Sequence, residues 1–166
     1  MYRHIADFIN DWKYETESTL KLFKNLTNES LDKKLHDKVR TIGFLSWHIT
    51  HTVKEMMERT GLQIEGKAQE NYNGESAQEI YSVYEASANS LLREIESKWS
   101  DATLQEEDDM YGSKWKRGVT LHILITHQAH HRGELVVLMR MCGLPVAGMY
   151  GPSFEEWKEY GMEPLK

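Results

Sequence analysis

Within one short stretch, His127-Gln128-Ala129-His130-His131-Arg132-Gly133-Glu134, the chain gathers three histidines and a carboxylate. On an α-helix, side chains four residues apart stand one turn apart on the same side. His127 and His131 can therefore turn both rings to one spot. A second pair, His48 and His51, lies in another strongly helical segment. Imidazole is a donor for zinc, nickel, copper and iron. Two helices that each bring histidine to a shared interior are how a bundle builds a transition-metal site.

A helical wheel selects among the histidines. At roughly 100° per residue, Leu121, Leu124, Ile125, Leu135, Leu138, Met139 and Cys142 share one sector, and His127 and His131 fall inside it. Glu134 lies at its edge. His130 lies outside, although His127 and His130 at i, i+3 could also chelate. His48 borders the stripe of its own helix beside Leu45 and Thr52, and His51 is further round. The expected ligands are His48, His127 and His131. Three histidines leave a position open, which is the catalytic pattern for zinc. The competing reading is a pair of hydrogen-bonded core histidines with no metal. The chain lacks H-E-x-x-H, which disfavours a zincin-type protease. His4 and His36 read as surface.

Four amphipathic segments must position these groups. The first runs from about Tyr2 to Leu26, with Phe8, Trp12, Thr16, Leu20 and Phe23 on one stripe and charged residues opposite. The second runs from Thr41 to Thr60, with Gly61 after its end. Ser76 and Glu79 form a capping box that opens the third, which ends near Trp99. The fourth spans Val119 to Met141 or Cys142, stopped by Gly143-Leu144-Pro145. A short extended stretch is expected around Met110 to Trp115. Ser153 and Glu156 form a second capping box for a short last helix through Tyr160. The expected fold is all-α: one domain over residues 1–166, a four-helix bundle with a C-terminal appendage.

Composition narrows the function classes. The net charge is −6 with no dense Lys/Arg run, so nothing draws a phosphate backbone and nucleic acid is a poor partner. No uncharged run approaches the ~20 residues that span a bilayer, and Met1 to Asp11 lacks the apolar core of a signal peptide. The single cysteine, Cys142, cannot form an intramolecular disulfide, which fits a reducing, cytoplasmic setting. It reads as a small buried hydrophobe rather than a nucleophile. Extra apolar residues on the fourth segment, Ile123, Val137 and Met141, suggest a homodimer.

The segments Ser46-Trp47-His48-Ile49 and His127 to Gly133 together resemble the DinB/YfiT-like superfamily. That group is recognised by a histidine in the second helix and H-x-x-x-H-R-G-Q in the last bundle helix. Tyr150-Gly151-Pro152 and the Trp157 region are also similar. The resemblance implies a four-helix bundle, often dimeric, holding a divalent metal, zinc or nickel, on three histidines that map to His48, His127 and His131. Glu134 departs from the pattern, standing where the family usually has glutamine. It is expected in the outer shell, since it lies two turns from His127.

The superfamily includes metal-dependent transferases that use low-molecular-weight thiols, and hydrolase-like proteins. An open three-histidine metal suits either: it lowers the pKa of a thiol or of water. His51 or Glu134 is the candidate base. The alternative is a non-catalytic, stress-associated bundle whose metal fastens the second helix to the fourth. Arg132 falls in the apolar sector, where it either snorkels its head to solvent or clamps an anion near the site. Gly133 costs about 1 kcal/mol against alanine in mid-helix, so another backbone is expected close to it.

Overall fold

The computed structural model describes residues 1–164; the expected domain end at residue 166 lies outside them. Among the described residues, four α-helices form the body: α1 Ile5–Phe23, α2 Ile42–Glu58, α3 Ala77–Lys98 and α4 Arg117–Met141. Two short strands, β1 Glu107–Met110 and β2 Ser113–Lys116, pair antiparallel between α3 and α4, with Glu107 opposite Lys116 and Met110 opposite Ser113. The expected all-α bundle is what forms.

Capping sets the helix starts. The Thr41 hydroxyl accepts the Phe44 N–H at 3.1 Å, and the Ser76 hydroxyl accepts the Glu79 N–H at 3.2 Å. Each answers one orphan donor of a first turn. α1 is capped from a distance: the Asp101 carboxylate accepts the Ile5 N–H at 2.8 Å and lies 2.9 Å from His4 Nδ1. That contact pins α1 to the chain just beyond α3.

The core is continuous across all four helices. Phe8, Trp12, Leu22, Ile42, Leu45, Ile49, Val53, Ile80, Leu91, Leu121, Leu124 and Leu135 are among its buried residues. Phe8 and Trp12 stack with ring centroids 5.8 Å apart, and the Trp12 indole donates to the Ala88 carbonyl at 3.1 Å. The buried indole therefore leaves no N–H unanswered.

Several boundaries differ from expectation for local reasons. α1 ends three residues early, at Phe23. α4 begins two residues early because β2 feeds directly into Arg117. The extended stretch becomes a hairpin that turns at Tyr111, φ 59°, and Gly112, φ 82°. Two successive positive φ angles match the strand twist of a tight hairpin. The last helix is a 3₁₀ segment, Glu156–Tyr160. Only half of its capping box forms: Glu156 Oε2 accepts the Ser153 N–H at 2.7 Å, while the Ser153 hydroxyl has no partner.

Two placements are corrections. Gly133 is exposed, and nothing lies within 4 Å of where its side chain would stand. The close backbone approach is at Gly118, where a Cβ would fall 2.3 Å from the Tyr2 carbonyl oxygen. Cys142 is half-buried at the core edge rather than enclosed.

Candidate metal centre

α2 packs against α4, and their facing surfaces carry the histidines. His48 Nε2 lies 3.2 Å from His127 Nε2, which lies 3.2 Å from His131 Nε2. One nitrogen from each of the three rings falls within 4.8 Å of the others. The structure thus brings together the three histidines that the wheel selected. His131 is buried, and His48 and His127 are partly exposed.

Hydrogen bonding alone does not satisfy this cluster. The Glu134 carboxylate sits 2.7 Å from His131 Nδ1. An ionised carboxylate only accepts, so Nδ1 carries the proton of neutral His131 and Nε2 is left with a lone pair. His127 Nε2 faces two neighbours and has one proton at most. At most one of its two contacts can therefore be a hydrogen bond. A divalent cation would answer all three lone pairs. Bonds of about 2.0–2.1 Å place tetrahedral donors about 3.3 Å apart, close to the spacing of His127 from each of its two partners.

The surroundings favour the neutral form of two of the rings. Burial, followed by the charges of neighbouring histidines, holds both His48 and His127 down to about 4. Neutral imidazole is the ligating form. Glu134 is held below the usual carboxylate range chiefly by its bond to His131. A carboxylate on the far nitrogen of a ligand histidine fixes ring orientation and tautomer.

A cavity of about 530 Å³ opens beside the cluster, lined by His48, His51, Glu55, Tyr111, Ile123 and His127 among others. His51 borders it, and its Nδ1 is buried without a partner. Glu55, one turn beyond His51 on α2, lines it too. It accepts the Tyr111 hydroxyl at 2.6 Å and pairs with Arg59 at 2.7 Å. Sequence reasoning missed this wall. A signal existed in part: His48, Thr52, Glu55 and Arg59 recur at helical spacing on α2. Tyr111 had none, since the hairpin delivers it from far along the chain.

His130 forms a second, more exposed group with His131 and Glu134, their ligand atoms within 4.8 Å of one another. The His130 side chain is 67% exposed, with Nε2 3.8 Å from Glu134. His4 and His36 are exposed. Arg132 neither snorkels nor reaches the imidazoles with its hydrogen bonds. It is fully buried and pairs with Glu15, donating also to the Glu15 carbonyl at 2.8 Å, Thr19 at 3.1 Å and the Tyr150 hydroxyl at 2.8 Å. Glu15, which the sequence did not single out, is 4% exposed.

A four-helix bundle with three histidines converging from its second and fourth helices is the class of protein these features define. The DinB family profile matches residues 1–164, and the chain belongs to the DinB family. Uncharacterized protein YrdA of Bacillus subtilis (strain 168) is 36% identical over 166 residues, which is 100% of this chain and 99% of that one. The crystal structure of a DinB-like protein from Bacillus cereus ATCC 10987 superposes with a TM-score of 0.86 at 36% identity, covering 90% of this chain and 100% of the other. The DinB-like protein YjoA of Bacillus subtilis, 16% identical, shares the fold with a TM-score of 0.70 over 89% of this chain and 99% of its own.

Proposed function

We propose that the chain binds a divalent metal, zinc or nickel, on His48, His127 and His131, and that it is a metal-dependent thiol transferase acting on a low-molecular-weight thiol. The observation that carries this reading is the trio of converging Nε2 atoms beside an open cavity of about 530 Å³. Bound there, the metal would supply Lewis acidity that lowers the pKa of a thiol or water.

The chain's own residues supply the rest. Glu134 holds the proton on His131 Nδ1 and so keeps Nε2 free to ligate. His51 borders the cavity and is the candidate base for the thiol proton. Glu134 is committed to His131 and is a positioning residue rather than a base. Hydrolysis is the second reading. It uses the same open cavity, with His51 taking a proton from water. A purely structural metal would call for a fourth protein ligand in place of that opening.

The test uses untagged protein. Metal analysis should find close to one zinc or nickel per chain, lost in His48→Ala and His131→Ala and kept in His36→Ala. Chelated protein should not conjugate small thiols to an electrophile such as monobromobimane above the background rate, and added metal should restore the reaction. Full metal content in both alanine variants would reject the ligand set. Metal without turnover on any thiol or ester would leave the structural reading.

A further inference from the structure

Among the described residues, Tyr111 is the only residue other than glycine with a positive φ, 59°. It holds the first central place of the hairpin turn, which suits Asn, Asp or Gly because a larger side chain crowds the backbone there. A strained residue at such a place points to a use for its side chain. Three contacts fix that side chain. Its hydroxyl donates to Glu55 at 2.6 Å, the Arg59 guanidinium lies over its ring at 4.5 Å, and the Trp115 ring meets it edge to face with centroids 5.9 Å apart.

Both rings belong to the lining of the cavity of about 530 Å³ that His48 and His127 also border. One space therefore touches the imidazoles and the hairpin, and a molecule held in it reaches both. Met56 of α2 and Ile123 of α4 add apolar lining from the two helices. The charges in the lining are already engaged or solvated: Glu55 and Arg59 pair at 2.7 Å, and Glu70 is exposed. Beyond the imidazoles and Thr52, what remains for a ligand is two aromatic rings and two aliphatic side chains.

We propose that Tyr111 and Trp115 are specificity-determining residues that seat an aryl group of the electrophilic substrate, with its reactive end toward the imidazoles. This rests on the thiol-transfer reading above. Aromatic rings pack edge to face or offset on one another and gain over aliphatic groups of similar size. A tyrosine ring held by three contacts is ordered before the ligand arrives, so little freedom is lost on binding. A tyrosine that merely pinned the hairpin to α2 would act through its bond to Glu55 and would confer no preference among ligands.

Cobalt(II)-loaded, untagged protein tests this with three hydroxamates, which share a metal-binding head and carry a methyl, benzyl or cyclohexylmethyl tail. Cobalt absorption reads their binding. The benzyl form should bind about fivefold tighter than the cyclohexylmethyl form, and both tighter than the methyl form. Tyr111→Asn, which suits the turn, and Trp115→Leu, which keeps an apolar lining, should each remove the benzyl preference and leave cobalt affinity unchanged. Tyr111→Phe, which loses the Glu55 bond and keeps the ring, should retain it. Equal binding of the benzyl and cyclohexylmethyl forms, or a preference that survives in Tyr111→Asn and Trp115→Leu or disappears in Tyr111→Phe, would overturn the assignment. Failure to bind cobalt would reject the metal reading alone. The assignment then turns on metal-free protein, where benzyl alcohol should shift the indole NMR signal that Trp115→Phe removes; no shift there overturns it.

Discussion

Burial favours the neutral form of two imidazoles in this cluster, His48 and His127, and that gives the protein a defined response to acid. His48 and His127 fall to about 4 in the folded chain, against about 6.5 when unfolded. Between those values the unfolded state binds more protons, so stability rises with pH. The contribution is full above about pH 6.5 and drains away as pH falls toward 4. Metal-free protein should therefore show a melting temperature that drops steadily across that window. His48→Phe combined with His127→Phe should flatten the drop. A metal held as proposed should also leave below about pH 6, since protonated imidazole cannot ligate. Retention at pH 5 would point to carboxylate or thiolate ligands instead.

The elements are tied together by a buried polar knot rather than by apolar packing alone. Arg132 of α4 reaches across the core to Glu15 and Thr19 of α1, and Tyr150 from the C-terminal tail donates to Glu15 at 2.7 Å. Nearby, the buried Tyr84 of α3 donates to Gln128 of α4 at 2.9 Å. Removing one partner of a buried ion pair strands the other charge. Arg132→Ala should cost about 3–5 kcal/mol in urea unfolding. Arg132→Met with Glu15→Leu should recover most of that loss, because a matched apolar pair leaves no stranded charge. The double variant should also keep its full metal content. Metal lost from a double variant that folds would return Arg132 to the site as an active participant.

At the scale of the whole molecule, the bundle exposes one flank of α4. Val137 and Met141 are 54% and 67% exposed. Ile123, expected on the same strip, instead packs against the core and borders the cavity. We propose that the remaining strip joins two copies of the chain. Sedimentation at micromolar concentration should give a dimer that Met141→Glu converts to monomer, and a wild-type monomer would remove the idea. Among the described residues, no helix is long and apolar enough to cross a membrane.

Much of this was legible in the chain because helical spacing is a local property. The 3.6-residue repeat marked α1 to α4, and the same geometry placed His127 beside His131 and put Glu134 one turn further on. The burial of Glu15 was not legible, because a carboxylate in a helix looks solvated until a distant arginine is known to meet it. Tyr111 escaped for a related reason: it gains its meaning from Glu55, a residue of another element. The sequence by itself determined the helices, their inward faces and the three candidate ligands. Only the tertiary structure decided that α2 meets α4 at His48 and that Glu134 serves His131. Contacts between separate elements depend on how those elements pack, which no repeat along a single helix records.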